Sequence, residues 1–134
     1  MADDLSDREL ARMTDDSPKP CPLIYLEIPA PDLEKARKFY TSVFGWKIDQ
    51  GIPGTSYLMF DDGNLGGGLN PALKVTGQGP NLVLKVEDIP AKLKEITKAG
   101  GGTVREKSEI GGGFGYSAVF KDPNGNLLSL WSKT

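Results

Sequence analysis

Two short stretches of this chain return further along it in the same order, and together they limit the fold to a duplicated unit. Asp32-Leu33 recurs 56 positions later as Asp88-Ile89, and Gly63-Asn64-Leu65 recurs 62 positions later as Gly125-Asn126-Leu127. Self-similarity at a near-constant interval marks a repeated architecture. The patterns around each match agree. In the first half, Ile24, Leu26 and Ile28 alternate with Leu23, Tyr25 and Glu27, the period of a strand with two distinct faces. Asp32 is a good N-cap for a helix carrying Leu33, Ala36, Phe39, Tyr40, Val43 and Phe44 on one stripe, and Gly45 offers its stop. Three short strands follow at 46–52, 56–60 and 65–70, separated by turn residues.

The second half repeats this order. Leu82, Leu84 and Val86 form the inner face of a strand, Asp88 caps a helix with Ile89, Leu93, Ile96 and Ala99, and Gly100 closes it. Strands over 103–106, 116–120 and 127–131 come next, the last two joined by the turn Asp122-Pro123-Asn124-Gly125. The sequence therefore predicts one α+β domain over residues 21–134, made of two β-α-β-β-β modules at about 21–72 and 79–134. Residues 1–20 are polar, end in Ser17-Pro18-Lys19-Pro20 and hold a short helix-compatible patch around Leu10 and Met13; they read as a flexible arm.

Composition removes several classes of function. No apolar run approaches the roughly 18 residues that cross a bilayer. Of the net charge of −2, the first 20 residues carry −3, so the remainder stands at +1 and offers no basic stripe for nucleic acid or an anionic membrane. The acidic start lacks the order of a signal peptide and the lone Cys21 has no internal disulfide partner, which together point to the cytoplasm. Cys21 sits in a Pro-flanked linker with no histidine to activate it, so it does not read as a nucleophile. There is no histidine, so the commonest neutral-pH proton shuttle and transition-metal ligand are both missing. The run Gly111-Gly112-Gly113-Phe114-Gly115 fits neither nucleotide fingerprint and precedes a strand; it reads as a loose connection or as a loop carrying Phe114 as a gate. Lys85 reads as part of a solvated strand edge.

Three segments, YLEIPAPDLEKARKFYTSVFGWKI, LVLKVEDIPAKLKEITKAGGGTV and FKDPNGNLLSLW, resemble the helix-bearing segments and terminal hairpin of vicinal-oxygen-chelate proteins, the glyoxalase, bleomycin-resistance and extradiol-dioxygenase superfamily, and in particular its small lactoylglutathione-lyase-related branch. The resemblance covers residues 23–132. It implies curved mixed sheets around a cavity, frequent homodimers, and a divalent ion held by one ligand from the first and one from the last strand of each module. Counting back five positions from Ala30 and from Val86 reaches Tyr25 and Asn81, and the last-strand positions fall at Gly67 and Ser129. A glycine offers no side chain, a neutral phenol and a hydroxyl are poor donors, and an amide serves hard ions only beside carboxylates. The family's lyase, dioxygenase and thiotransferase chemistries use that ion. No cofactor is expected here.

Strand alternation sets Tyr25 and Glu27 opposite the Ile24, Leu26, Ile28 core, on the face that lines the cavity in the family's fold. Glu27 is either a candidate base or a buried structural acid. Tyr25 either fills vacated ligand space or donates to a ligand oxygen, and Asn81 and Ser129 can orient a carbonyl or hydroxyl. Tyr25, Tyr57 and Trp131 would give the cavity a wall suited to a flat apolar ligand, core packing being the plainer alternative for each. Three functional readings remain open. One is a metal-free module that binds or sequesters a small apolar or aromatic molecule. Another is a metal-independent lyase or isomerase using Glu27 as proton shuttle. The third is a metal-dependent lyase or dioxygenase with relocated ligands.

Overall fold

The structure, a computed structural model, describes residues 7, 8, 10, 11, 23–50 and 53–134. Of the arm expected over residues 1–20, only Asp7, Arg8, Leu10 and Ala11 are described, all helical; Met13 and Cys21 lie outside the described residues. The chain forms two compact units, residues 1–74 and 75–134. Each holds one four-stranded mixed sheet and a long helix packed with it, at 33–44 in the first unit and 89–98 in the second. Among the described residues no helix is long and apolar enough to cross a membrane.

In the first unit, β1 (Tyr25–Pro29) leads into α1 (Leu33–Phe44), followed by β2 (Lys47–Gln50), β3 (Leu58–Asp61) and β4 (Gly66–Asn70). The sheet runs β1-β4-β3-β2, with β1 parallel to β4 and the other pairs antiparallel. Asp32 is extended and its carboxylate accepts from the Lys35 N–H at 3.1 Å, satisfying a donor the helix itself cannot. At the other end Gly45 adopts φ 70°, and the Trp46 N–H returns to the Tyr40 carbonyl at 3.2 Å. That cap throws Trp46 back onto the helix. Its indole stacks on Tyr40 at 4.5 Å and on Phe60 of β3 at 4.4 Å, tying α1 to the sheet. Such ring pairs contribute about 0.5–1.5 kcal/mol beyond area burial. Ala36, Phe39, Tyr40 and Val43 pack with Ile28, Phe60 and Leu69 to complete this core.

In the second unit, β5 (Val83–Lys85) precedes α2 (Ile89–Lys98), β6 (Gly102–Glu109), β7 (Tyr116–Lys121) and β8 (Leu127–Ser132). The order β5-β8-β7-β6 repeats the first sheet's topology, with β5 parallel to β8. Asp88 caps α2 by accepting from the Ala91 N–H at 3.0 Å, and Ile89, Leu93 and Ile96 lie buried with Ala118, Phe120, Leu128 and Leu130. β6 extends to Glu109, beyond the 103–106 expected, and its register against β7 shifts twice, between Thr103 and Arg105 and between Arg105 and Ser108.

The two terminal hairpins differ by one residue. In the first unit the turn closes from the Asp62 N–H to the Leu65 carbonyl, and in the second from the Asp122 N–H to the Asn126 carbonyl. The strands after the turns are therefore offset by 61 positions rather than by the 62 of the Gly-Asn-Leu match. By ladder position, Gly68 (opposite Met59 and Glu27) corresponds to Ser129 (opposite Val119 and Val83). Gly67 faces the other way: a Cβ there would meet the Phe60 ring at 2.4 Å and the Leu26 carbonyl at 2.2 Å. The last-strand ligand position of the first unit is thus corrected from Gly67 to Gly68.

Candidate functional site

Side chains paired across a ladder share a face, so Tyr25, Gly66 and Asp61 form one row on the side of the first sheet turned away from α1, and Glu27, Gly68 and Met59 the next. Tyr57, just before β3, lays its phenol over Gly68. A Cβ on Gly68 would fall 1.7 Å from the Tyr57 hydroxyl, so the position is open to Tyr57 only because it is glycine. The Tyr57 O–H donates to Glu27 Oε2 at 2.8 Å. With its one proton so used, Tyr57 accepts from the Tyr25 O–H, the two oxygens lying 2.6 Å apart. Asn70 Nδ2 donates to the other carboxylate oxygen, Oε1, at 3.2 Å, and Asn70 Oδ1 accepts from the Ala72 N–H at 2.9 Å, which fixes the amide's orientation.

The result is a directed chain from Tyr25 through Tyr57 to Glu27, with Asn70 closing the far side. Burial raises the Tyr57 phenol well above the ordinary tyrosine value, and its hydrogen bonds with Tyr25 and then Glu27 add to the effect; Tyr57 stays protonated as a donor. Glu27 is exposed, not the buried structural acid weighed from the sequence, and it is held by a phenol and an amide rather than by a cation or backbone amides. Asn70 was not among the sequence candidates. Its parity on β4, two residues from Gly68, was the available signal.

On the second sheet's face away from α2, Ser129 is buried and its Oγ donates to Asn81 Oδ1 at 2.8 Å. Asn81 lies two residues before β5. Trp131, half-buried on the same face, donates from Nε1 to the Phe114 carbonyl at 2.7 Å. Gly115, with φ 89°, lies so close to the indole that a Cβ would be 3.0 Å from it and 2.5 Å from the Ser132 carbonyl. The glycine run is a closed turn, not a loose connection: the Ile110 N–H donates to the Gly115 carbonyl and the Phe114 N–H to that of Gly111. The Phe114 ring is 71% exposed, and what the residue contributes to Trp131 is its carbonyl. A second missed residue, Arg105, also lies on this face. It pairs with Val119, and its guanidinium donates to Ser117 and Ser108. A groove of about 680 Å³ under α2, lined by Leu93, Thr97, Lys98, Thr103 and Glu106 among others, belongs to the opposite side of this sheet and includes none of these groups.

The family's metal does not fit these residues. Tyr25 is engaged by Tyr57, the room above Gly68 is filled by the Tyr57 phenol, and Asn81 Oδ1 accepts from Ser129. Among the described residues no group of three or more His, Cys, Asp or Glu side chains gathers as an ion would require.

The model of the Glyoxalase/Bleomycin resistance protein/Dioxygenase superfamily matches residues 23–130, and the chain belongs to that family. It is 29% identical over 116 residues to a glyoxylase-like domain-containing protein of Didymella fabae, spanning 81% of this chain and 91% of that one. A glyoxalase/bleomycin resistance protein/dioxygenase family enzyme from Burkholderia phytofirmans PsJN shares the fold with a TM-score of 0.70 at 20% identity, covering 82% of this chain and 97% of its own. TnmS3, an antibiotic binding protein from Streptomyces sp. CB03234, does so with a TM-score of 0.65 at 21% identity, covering 88% and 100%.

Proposed function

We propose that this protein binds a small organic molecule with an apolar or aromatic body, without a metal, as a binding or sequestering module. The observation that carries this reading is the Tyr25–Tyr57–Glu27 chain, which takes up the first unit's two ligand positions with hydrogen bonds directed among themselves. Trp131, held by the Phe114 carbonyl, supplies a fixed aromatic surface in the second unit. The antibiotic-binding relative TnmS3 is consistent with such a role.

Native mass spectrometry of freshly purified, untagged protein, with elemental analysis, tests it. The expected result is no stoichiometric metal and a captured or titratable organic ligand. Stoichiometric zinc, nickel or iron would overturn it.

The alternative, a metal-independent lyase or isomerase with Glu27 as proton shuttle, draws on the Tyr57–Glu27 hydrogen bond, which places a protonated phenol against an exposed carboxylate. Glu27→Gln separates the two. Under the binding reading the variant keeps ligand affinity within about threefold, a neutral hydrogen-bond acceptor replacing a charged one at the same place. Under the enzymatic reading it binds and no longer converts.

A further inference from the structure

We propose that the second unit's open face recognises an organic anion, specifically a carboxylate on a flat aromatic body, with Arg105 taking the carboxylate and Trp131 the ring system. This rests on the small-molecule reading above and adds the ligand's charge and the residue that reads it.

The sequence of β6 alone does not aim Arg105. Two register shifts bracket it, one on each side, so that Arg105 pairs with Val119 and Ser108 with Ser117 although Glu106 and Lys107 on β6 then face the single Ala118 on β7. Bulges of this kind turn a strand locally and re-aim a side chain. Here they bring Arg105 onto the row of Val119, Ser129 and Val83, beside the row of Ser117, Trp131 and Lys85.

The guanidinium is held through its two terminal nitrogens, and Nε takes no part. Nη1 donates to the Ser117 carbonyl at 3.3 Å and Nη2 to Ser117 Oγ at 2.8 Å; Nη1 also contacts Ser108 Oγ and the Glu106 carbonyl. Both terminal nitrogens thus point one edge at Ser117. The lateral edge, formed by Nε–H and the second Nη2–H, has no partner among the described residues, and that pair of parallel donors is one that a carboxylate meets with both oxygens. Every acceptor on Arg105 is neutral. No ion pair among the described residues involves Arg105 or Lys85.

Carboxylates of the same sheet lie elsewhere. Glu106 lines the groove under α2, and Glu109 pairs with Tyr116, one step out of phase with Ser108 and Ser117. The face therefore carries Arg105, Lys85 and, at its far end, Lys121, none of them in an ion pair among the described residues, and no acid on its ladder positions; the indole is in register with Ser117 and Lys85, the two ladder partners of Trp131. Structural arginines that only brace a strand do not need a free fork. A preoriented fork beside an immobilised indole suits an aromatic acid, since the donor geometry is set before the ligand arrives and little side-chain freedom is lost on binding.

Isothermal titration of the full chain with 2-naphthoate and with its uncharged analogue 2-naphthamide tests the assignment. Wild type is expected to bind the acid about tenfold or more tightly than the amide, the range of a charge-assisted contact. Arg105→Gln is expected to reduce that preference to less than about twofold, weakening the acid far more than the amide, which loses only a neutral hydrogen bond, and Arg105→Lys to restore part of it, charge being kept and the fork lost. Circular dichroism of both variants guards against misfolding, and retained amide binding reports an intact face. Equal affinity of wild type for acid and amide overturns the anion proposal and leaves the binding reading standing. A preference that survives in Arg105→Gln overturns the role of Arg105. Absence of binding by either compound also overturns the proposal. The binding reading itself fails separately, through stoichiometric metal in the purified protein.

Discussion

Replacing Gly68 by alanine is expected to dismantle the hydrogen-bonded chain of the first unit while sparing its core. The added Cβ falls 1.7 Å from the Tyr57 hydroxyl and 2.1 Å from Cζ, and its three nearest neighbours are all atoms of that phenol. The far end of a half-buried side chain can swing away, so the ladder need not move. The loss is the Tyr57 bonds to Glu27 and Tyr25, largely replaceable by water at this exposed carboxylate, less the roughly 0.5 kcal/mol that alanine recovers by restricting the unfolded chain. We expect a net cost of about 1–2 kcal/mol. Gly67→Ala is the contrasting case, because its Cβ meets the Leu26 backbone carbonyl at 2.2 Å and the Phe60 ring at 2.4 Å. Neither can yield without opening the β1–β4 ladder or breaking the Trp46–Phe60 stack, and we expect about 3 kcal/mol or more. Urea denaturation ranks the two. Alkaline titration of tyrosine absorbance, taken as the difference from Tyr57→Phe, supplies the second readout: the Tyr57 component lies above the ordinary tyrosine range in wild type and falls back toward it in Gly68→Ala. Equal destabilisation by the two variants, or an unchanged titration in Gly68→Ala, would refute the placement of Tyr57 over that glycine.

Two further outcomes are expected. Because the folded state holds the Tyr57 proton more tightly than the unfolded chain does, its contribution to stability is full below the unfolded tyrosine value of about 10 and is lost as pH rises above it. Urea midpoints measured from pH 8 to 11 should fall more steeply for wild type than for Tyr57→Phe. Asp122→Ala should cost about 3 kcal/mol or more in the same assay, since the buried carboxylate accepts from the Asn124 N–H, the Asn126 N–H and Asn126 Nδ2, and Asp122→Asn should recover part of that loss.

Helices, caps and strand order were legible because each is written in neighbouring residues. Asp32 and Asp88 announce their helices within three positions, and Gly45 and Gly100 end them. Alternation was enough to put Tyr25 and Glu27 on one face. It could not count across a turn: the extra residue between Asp122 and Asn126 changes the offset that relates the two last-strand positions, and one residue on a strand reverses the face. Nor could alternation place Arg105, whose direction depends on two irregularities in the β6–β7 register rather than on any residue type in β6. Asn70 bonds Glu27 across 43 positions of sequence, a contact that exists only once β1 and β4 lie parallel. The exposure of Glu27 likewise follows from packing and not from its neighbours in the chain.

The one-residue difference between the terminal hairpins shows how a duplicated fold grows apart. A turn can take up an insertion at its tip, so the strands behind it keep their partners while the copies cease to be superimposable as strings. Once that has happened, the halves evolve as separate parts. A chimaera joining two first units would carry two phenol–carboxylate chains and no counterpart of Arg105, and one joining two second units the reverse. The copies have stopped being spare parts for each other: one is built around a phenol–carboxylate chain, the other around a guanidinium and an indole.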